Sequence, residues 1–372
     1  AMTERLIVGM SGGVDSSVAA ALLVEQGYDV VGVTLRVWPW RAPEEGTKRF
    51  GSCCSPETVA GARDVARQLG IPYYVLNSER EFDTAVIEEF TREYAAGRTP
   101  VPCVACNRKV KFGSLLARAR AWDAVAVATG HYARITRDEA TGRHLLWRGR
   151  DARKDQSDFL WPLTQGQLGA ARFPVGALVK DEVRAEARRL GLATAETPES
   201  QEICFIPDDD YRGFLRRRAP EVFRPGPIVD GTGRELGRHG GIADFTVGQR
   251  RGLGLATGRS LYVTALDPGR NAVVVGPAAE LETDRLWAED VNLISVATLE
   301  RPLEVQAKVR HSQVPVAATI FPPVAGPRQE SRAEVRFVEP QRAVSPGQSV
   351  VFYQGELVVG GGVIARANGE GA

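Results

Sequence analysis

Residues 5–27 read RLIVGMSGGVDSSVAAALLVEQG: an apolar run, a glycine-containing turn and a second apolar run in immediate succession. The first run is typical of a buried strand, and the second predicts a helix that ends at Gly27. Backbone N–H groups in such a turn, at the positive end of the following helix, bind phosphate groups. The stretch therefore predicts an α/β domain with an anion-binding loop at its first βα turn.

The same alternation of strands and helices continues beyond this loop. Strand patterns occupy residues 29–38, 71–77 and 122–130, and helix patterns occupy residues 56–70 and 81–97. We interpret them as a doubly wound parallel sheet, which binds ligands at the carboxyl ends of its strands. From about residue 135 the pattern changes to that of a hairpin, ARITRDEATGRHLLWRGR.

The second half of the chain has β patterns. Glycine and turn residues surround short strands between residues 207 and 276, which predicts a small central β-rich domain. Short alternating strands fill residues 277–372 and predict a C-terminal β-barrel. The predicted domains are therefore a catalytic domain over 1–206, a central domain over 207–276 and a barrel over 277–372.

Composition limits the class of partner and the compartment. The net charge is +1, so a nucleic-acid partner has to rest on local basic clusters, such as those at 148–154, 216–218 and 249–251. The number of cysteines is odd, which favours a reducing compartment and metal or catalytic uses. No apolar run reaches membrane-spanning length, and charged residues precede the first short one, so we expect no signal peptide and a cytoplasmic protein without a membrane partner. The cysteines are Cys53, Cys54, Cys103, Cys106 and Cys204.

The glycine loop has a specific pattern. It lacks the Lys-Ser or Lys-Thr of a nucleoside triphosphatase phosphate loop, and it lacks the G-x-G-x-x-G dinucleotide pattern. Its residues instead match S-G-G-x-D-S, the pyrophosphate loop of enzymes that cut ATP between the α and β phosphates. Such enzymes transfer AMP to a substrate oxygen, so the motif predicts adenylation. The matching residues are Ser11, Gly12, Gly13, Asp15 and Ser16.

An adenylated carbon needs a nucleophile, and the cysteines point to sulfur. PVPCVACNRKVKFG, residues 100–113, places Cys103 and Cys106 two residues apart beside Arg108, Lys109 and Lys111. Nearby cations lower the pKa of a thiol and so favour the reactive thiolate. A structural zinc site is disfavoured because the chain offers no second C-x-x-C or His pair.

Long motifs along the whole chain resemble one family, the tRNA-specific 2-thiouridylases (the MnmA/TrmU family). They are GMSGGVDSS, GRTPVPCVACNRKVKFG, ATGHYAR, KDQSDFLW, ESQEICFI, FTVGQRRGLG and SPGQSVVFY. The resemblance implies a pyrophosphate-loop domain of the adenine nucleotide alpha hydrolase type, a small central domain and a C-terminal β-barrel. It also implies a sulfurtransferase that uses ATP to convert the wobble uridine, U34, of certain tRNAs to 2-thiouridine.

The resemblance assigns roles to individual residues. Cys106 is the nucleophile position, and Cys204 carries a persulfide that a sulfur-donor protein delivers by thiol exchange. The expected sulfur source is this donor protein or, where no persulfide forms, sulfide. ATP phosphates would lie on Gly9, Met10, Ser11, Gly12, Gly13, Val14, Asp15 and Ser16, with Leu35 and Gly130 beside the nucleotide. Val101, Pro102 and Cys103 would face the target base. The positions expected to contact tRNA, mostly around its anticodon region, are His131, Lys154, Asp155, Gln156, Arg310, His311 and Gln348.

Two departures from the family pattern bear on substrate contacts. The residues before the first cysteine usually read T-P-N-P, and Val101 here replaces the Asn, which puts one hydrogen bond to the base in doubt. The pair at Arg310 usually reads Arg-Tyr, and His311 keeps a flat ring that can stack on a base. Asp15 is also a candidate ligand for Mg²⁺ on the pyrophosphate.

The chemistry of sulfur delivery stays open at this level. In a relay, Cys106 attacks the Cys204 persulfide and leaves a Cys106–Cys204 disulfide. Alternatively, Cys103, Cys106 and Cys204 together hold a [4Fe–4S] cluster whose fourth iron binds sulfide. Two other functions compete with this one. An ATP-pyrophosphatase that amidates a small molecule would have no use for the cysteines. A non-catalytic tRNA-binding or iron–sulfur carrier protein would have no use for the pyrophosphate loop.

Overall fold

The structure is a computed structural model that describes residues 3–38, 55–198, 203–206, 209–256, 258–325 and 331–367. Cys53 and Cys54, which the sequence suggests are ordinary small residues at a helix start, lie outside these ranges. Within these ranges, no helix combines the length and apolarity needed to span a lipid bilayer.

The helical elements begin and end as follows, within the described ranges. The α-helices are α1 (Val14–Glu25), α2 (Pro56–Leu69), α3 (Glu79–Phe82), α4 (Glu88–Ala95), α5 (Pro102–Ala105), α6 (Leu115–Ala121), α7 (Gln165–Gly169), α8 (Lys180–Arg189) and α9 (Tyr211–Arg218). Two π-helical segments cover Asp83–Ile87 and Cys106–Ser114, and short 3₁₀ turns cover Ser157–Phe159, Pro220–Val222, Ile242–Asp244 and Ala278–Leu281.

The strands of the described chain are numbered in sequence order. They are β1 (Arg5–Gly9), β2 (Asp29–Arg36), β3 (Tyr73–Asn77), β4 (Ala124–Ala128), β5 (Ala133–Arg137), β6 (His144–Arg148), β7 (Ala171–Arg172), β8 (Gly226–Asp230), β9 (Glu235–His239), β10 (Tyr262–Asp267), β11 (Ala272–Gly276), β12 (Glu282–Leu293), β13 (Leu303–Lys308), β14 (Val316–Ile320), β15 (Val324–Ala325), β16 (Ser331–Arg342), β17 (Ser349–Gln354) and β18 (Leu357–Ala367).

The chain divides into two compact units. The first unit contains Ala1–Ile87, Pro102–Asp210 and Glu356–Val358. The second contains Glu88–Val101, Tyr211–Gly355 and Val359–Ala372. The domain boundaries after residues 206 and 276 stay predictions.

The first unit is built on a parallel sheet, with strand order β3-β2-β1-β4-β7 among the described residues. Successive strands run outward from β1 in one direction and then continue from β4 in the other, so the order reverses between β1 and β4. Such a reversal opens a crevice at the carboxyl ends of the two strands, where α/β sheets bind ligands. The loop after β1 lies at this point. The doubly wound sheet and the β5–β6 hairpin are both confirmed.

Local sequence explains helix α2, which lies beside the loop. Ser55 caps its start by accepting a hydrogen bond from the backbone N–H of Thr58, and Pro56 occupies the first turn. Gly70 ends the helix in the left-handed conformation that glycine adopts most easily. These are the start and stop signals that the sequence predicts at residues 56 and 70.

The single helix predicted over residues 81–97 is instead α3, a π-helical segment and α4. Phe82 is buried in the first unit. Phe90 and Tyr94 pack in the second unit, with ring centroids 6.3 Å from Phe214 and 4.9 Å from Tyr211 respectively. A π-turn inserts an extra residue into the helical repeat and shifts the apolar register between the two sections. The 3.6-residue periodicity does not reveal that shift.

The second unit contains the β-rich part of the chain. In the described residues, one mixed sheet has the order β10-β11-β8-β9 and packs Ile228, Val263 and Val275 into its core. A further six strands, in the order β12-β16-β14-β13-β17-β18, close into a β-barrel because β12 also pairs with β18. The predicted central β-rich domain and C-terminal β-barrel are confirmed as fold elements.

Candidate functional site

The glycine loop after β1 is tied to its neighbours by backbone contacts. The Met10 N–H donates to Val33 O on β2 at 2.8 Å. Gly12 has φ +75°, and a Cβ there would lie 2.2 Å from the carbonyl oxygen of Thr58 on α2. Only glycine combines this conformation with this close approach. The loop is therefore held in one shape by strand β2 and helix α2.

Serine hydroxyls complete the loop. Ser16 Oγ accepts from the Ser11 N–H at 3.2 Å and donates to Gly13 O at 3.1 Å, and Ser17 Oγ donates to the same carbonyl at 2.9 Å. Gly13, at the N-cap of α1, has no side chain to cap the first helical N–H groups. Those groups need acceptors, and together with the helix dipole they suit an anion such as a phosphate.

Gly130 follows β4 and touches the loop directly. A Cβ at Gly130 would lie 2.7 Å from Asp15 C and from Ser16 N, so the backbone of residue 130 passes against the start of α1. Leu35, near the end of β2, is partly buried and lies opposite Leu76 of β3. The structure thus brings Gly130 to the glycine loop and places Leu35 at the carboxyl end of the neighbouring strand.

Asp15 is engaged by two residues that the sequence analysis did not single out. Lys180 Nζ lies 2.7 and 2.8 Å from its two carboxylate oxygens, and the Tyr132 hydroxyl donates to Oδ1 at 2.7 Å. Lys180 is buried at the start of α8, where its backbone N–H donates to Asp151 Oδ2 at 3.0 Å. In the sequence, Lys180 is visible only as a lysine at a helix start in KDEVR, and Tyr132 only as a tyrosine in ATGHYAR. Neither pattern identifies a partner far away in sequence.

Replacing Lys180 with Gln should destabilise the protein. The substitution leaves the Asp15 carboxylate, whose side chain is only 31% exposed, without its cation. Losing one partner of a buried ion pair costs about 3–5 kcal/mol, and the partial exposure of Asp15 reduces our expectation to about 1–3 kcal/mol. Urea unfolding measures the loss. Arg150→Gln, which breaks an exposed pair with Glu182, is the matched control and should change little; an equal effect of the two substitutions would contradict the role given to Lys180.

His131 is buried rather than presented at the surface. Its Nδ1 forms a hydrogen bond of 2.7 Å with Thr129 Oγ1, and its ring packs against Phe112 and Phe173. Burial, and then the positive charge of Lys111, hold the pKa of His131 well below its usual value. The imidazole is therefore neutral at pH 7.

This low pKa makes stability depend on pH. Below about pH 6.5, His131 takes up a proton in the unfolded chain but not in the folded one, so acidification favours unfolding. We expect the free energy of unfolding to fall as the pH drops from 7 to 5, with up to about 1.4 kcal/mol per pH unit from this residue. His131→Gln should make the slope shallower in urea titrations at several pH values. His144 and His239, whose pKa values burial also lowers, are present in both the wild type and His131→Gln. An unchanged slope in His131→Gln would show that His131 is not the titrating group.

The predicted tRNA contacts at residues 154–156 form a tightly bonded loop. Asp155 is buried, pairs with Arg148 at 2.8 Å and accepts from the N–H groups of Gly149 and Ser157. Gln156 Oε1 accepts from the Tyr132 N–H at 3.1 Å. The contacts of Asp155 and Gln156 are thus internal to the first unit. A contribution of these two residues to tRNA binding would act by holding the neighbouring, less buried Lys154 in place.

Cys103 and Cys106 lie on consecutive helical turns. Cys103 is exposed in α5, and Cys106 is partly buried at the first position of the second π-helical segment. Gln167 of α7 supports this segment, because its side-chain amide donates to both Arg108 O and Phe112 O at 2.9 Å. Arg108 and Lys109 are exposed just beyond Cys106. Arg108 and Lys109 thus lie on the same helical segment as Cys106.

Cys204 is partly buried in the short described stretch 203–206. Its neighbour Phe205 packs edge-on against Phe82 of α3, with ring centroids 5.7 Å apart. Helix α3 in turn contacts the π-helical segment that begins with Cys106. The aromatic contact therefore anchors the Cys204 segment to the same group of helices that carries Cys103 and Cys106.

These cysteines do not form a ready metal site. Among the described residues, no three His, Cys, Asp or Glu side chains are grouped closely enough to hold a metal ion. Cys103, Cys106 and Cys204 therefore do not fit an iron–sulfur cluster in this conformation.

A Mg²⁺ site needs fewer protein ligands, since this ion is commonly held by one or two carboxylates together with substrate phosphates. Asp15, at the glycine loop, fits that requirement.

The predicted tRNA contacts in the second unit are more exposed. Arg310 and His311 lie in a turn after β13, which Gln313 braces by accepting from the Val309 N–H and donating to Gln341 Oε1. The Arg310 guanidinium donates to Arg342 O and Ala343 O. Gln348 is partly buried, and its Nε2 donates to Thr99 O at 2.9 Å.

Comparisons with known proteins cover the chain almost completely. A family model described as the tRNA methyl transferase HUP domain matches residues 4–208, the tRNA methyl transferase PRC-barrel domain matches 212–277, and the aminomethyltransferase beta-barrel domain matches 283–364. A tRNA-specific 2-thiouridylase MnmA of Heliobacterium modesticaldum is 55% identical over 98% of this chain and 93% of its own length. One of Moorella thermoacetica is 52% identical over 96% of this chain and 98% of its own length.

Solved structures show more distant likenesses. The chain resembles a 4-thiouridine synthetase–RNA complex with bound ATP at a TM-score of 0.37 and 16% identity, over 59% of this chain and 51% of that one. It resembles the NMN synthetase of Francisella tularensis at a TM-score of 0.33 and 16% identity, over 59% of this chain and 87% of that one.

Proposed function

This chain belongs to the tRNA-specific 2-thiouridylase family, and we propose that it catalyses the ATP-dependent thiolation of the wobble uridine of tRNA. The observation that carries the proposal is the glycine loop between β1 and β4, where the strand order reverses, in a unit that also holds Cys103 and Cys106 on helical segments and Cys204 in a turn. The loop suits an AMP-transferring enzyme, and the thiols suit sulfur delivery. The protein would act in the reducing cytoplasm.

The first step is adenylation. ATP phosphates lie against the uncapped N–H groups of α1 and the loop residues 9–16, with Leu35 and Gly130 beside the nucleotide. The uridine O2 attacks the α-phosphorus, the bond to the bridging oxygen breaks, and pyrophosphate leaves while the N3 proton is released. Mg²⁺ held by Asp15 would neutralise phosphate charge when bound. Lys180, which pairs with Asp15, would add a buried positive charge near the phosphates.

Sulfur transfer follows at C2, which adenylation has made electrophilic. The terminal sulfur of a persulfide on Cys204 attacks C2, and AMP leaves with the former O2 oxygen. The Cys106 thiolate then attacks the Cys204 Sγ and breaks its bond to the transferred sulfur, which stays on C2 as the thiocarbonyl while N3 regains a proton. The Cys106–Cys204 disulfide that results is reduced by an external thiol, which supplies two electrons.

The second unit supplies tRNA contacts in this proposal. Arg310 and His311 are exposed on a braced turn, where a cation can meet a phosphate and a flat ring can stack on a base. The target uridine has to leave its stack for C2 to be reached, as in other enzymes that modify bases. Val101, Pro102 and Cys103 would then face the base.

Nucleoside analysis tests the function. Purified protein is incubated with an unmodified tRNA transcript, ATP, Mg²⁺, a persulfide donor and a thiol reductant, and the digested tRNA is examined by mass spectrometry. We expect 2-thiouridine that requires ATP and is absent when U34 is replaced. Release of AMP without thiolation, in a reaction stimulated by ammonia and a small carboxylic acid, would instead favour the small-molecule synthetase.

A further inference from the structure

The stretch that leads into the cysteines belongs to the second unit. Residues Glu88–Val101 are part of that unit, and Val101 is joined directly to Pro102, the first residue of α5. Gly97 has φ +68°, and a Cβ there would lie 3.1 Å from the Leu266 side chain. The chain after α4 therefore packs closely on strand β10 of its own unit before it continues to the cysteines.

Arg98 anchors this stretch with two ion pairs. Its Nε lies 2.6 Å from Glu93 Oε2, and its Nη2 lies 2.6 Å from Glu289 Oε1 on β12. The three side chains are only 21–23% exposed. Burial acts against the charge, but the two carboxylates outweigh it and raise the pKa of Arg98. One guanidinium thus joins the end of α4 to a strand of the β-barrel.

The next residue, Thr99, has both backbone polar groups bonded to the turn before β17. Its N–H donates to Pro346 O at 2.8 Å, and its carbonyl accepts from Gln348 Nε2 at 2.9 Å. Gly347 has φ +89°, and a Cβ there would lie 2.8 Å from Thr99 N. The backbone at Thr99 is therefore fixed two residues before Val101.

We propose that Arg98 is a positioning residue: with Gln348 it holds Thr99–Val101 on the β-barrel, so that Val101 and Pro102 meet the target base at a fixed place. The inference rests on the proposed function, because it needs a base that faces Val101. The two polar atoms of the Gln348 carboxamide can bind different partners at the same time. Its nitrogen donates to Thr99, while its carboxamide oxygen is chemically able to accept from a tRNA hydroxyl. The side chain expected to contact tRNA is then the one that holds the base-facing segment.

Kinetic measurements show whether Arg98 positions the bound tRNA, contributes to tRNA binding or is needed for folding. Arg98→Gln should lower the single-turnover rate of 2-thiouridine formation at saturating tRNA by about 10–100-fold, the scale that small misplacements cause. The dissociation constants for tRNA and ATP should stay within about threefold of wild type, because the substitution slows the reaction of bound tRNA and does not weaken its binding. Arg98→Lys, which keeps the charge and can reach one carboxylate, should recover part of the rate.

A second variant guards against misfolding, since Arg98→Gln leaves Glu93 without this cation and leaves Glu289 with Arg332, 3.7 Å away. Glu289→Gln leaves Arg98 paired with Glu93 and should still lower the rate without changing the tRNA dissociation constant. Arg336→Gln, which removes a pair between an exposed arginine and the half-buried Glu334 on the same barrel, is the matched control and should behave as wild type. Wild-type rates in Arg98→Gln and Glu289→Gln, or rate losses matched by losses of tRNA affinity, would overturn the inference. Absence of 2-thiouridine with the wild-type protein would instead refute the proposed function.

Discussion

We expect Cys106→Ser and Cys204→Ser each to lower the rate of 2-thiouridine formation by about 10³-fold or more, because each removes a sulfur nucleophile. Serine is nearly isosteric but is not ionised at neutral pH, so it can neither carry a persulfide nor attack one. ATP binding should be unchanged, since neither residue lies on the glycine loop. Single-turnover assays with a persulfide donor measure the rate. In Cys106→Ser, mass spectrometry should show the Cys204 persulfide before tRNA and ATP are added, and a Cys204–tRNA disulfide after they are added.

Cys103→Ser is the matched control for these variants. Cys103 is exposed on α5, one helical turn before Cys106, and has no step in the relay. Although Cys103 would face the base, serine is close to cysteine in size, so we expect the rate to stay within about threefold of wild type. A loss as large as that of Cys106→Ser, together with loss of stoichiometric iron and acid-labile sulfide, would contradict the relay and require the three cysteines to converge on a cluster.

Gly12→Ala should remove ATP binding. The added Cβ would lie 2.2 Å from Thr58 O, and φ at this position is +75°, so the loop has to move away from α2 and change conformation. Such strain costs on the order of 1–3 kcal/mol if the backbone keeps its shape. If the loop moves instead, the N–H groups no longer converge on the phosphates. We expect an ATP dissociation constant raised by about 100-fold or more, corresponding to at least about 2.7 kcal/mol, measured by equilibrium titration.

Gly61→Ala provides the control on the helix that Gly12 touches. Gly61 lies inside α2, where a Cβ meets nothing within 4 Å. Alanine there should stabilise the helix by about 0.5–1 kcal/mol and leave ATP affinity as it is. If Gly12→Ala bound ATP like Gly61→Ala, the close packing of the loop on α2 would not matter for nucleotide binding.

The parts of the site that the sequence predicts are those whose chemistry is local. The run from residue 5 to 27 contains the strand, the turn and the helix that together make the glycine loop, so its motif carries its own structural context. Cys103 and Cys106 likewise stand on one helical stretch with the basic residues that follow. The end-to-end resemblance supplied the remaining roles, including that of Cys204.

The parts that the sequence does not predict depend on long-range contacts. Lys180 reaches Asp15 across 165 positions, and Arg98 reaches Glu289 across 191, so no local pattern pairs them. Strand β7 has two residues, Ala171 and Arg172, and is too short to produce a periodic signal. The π-helical segments are also hidden, because their apolar spacing resembles that of an ordinary α-helix over a few residues.

The path of one oxygen atom tests whether the base is activated by adenylation at O2. A tRNA carrying ¹⁸O at O2 of uridine 34 is thiolated in a single turnover, and the AMP released is weighed by mass spectrometry. Because AMP leaves C2 with the former O2 oxygen, we expect AMP heavier by 2 Da in proportion to the 2-thiouridine formed. Unlabelled AMP, or label found in pyrophosphate or inorganic phosphate, would contradict it.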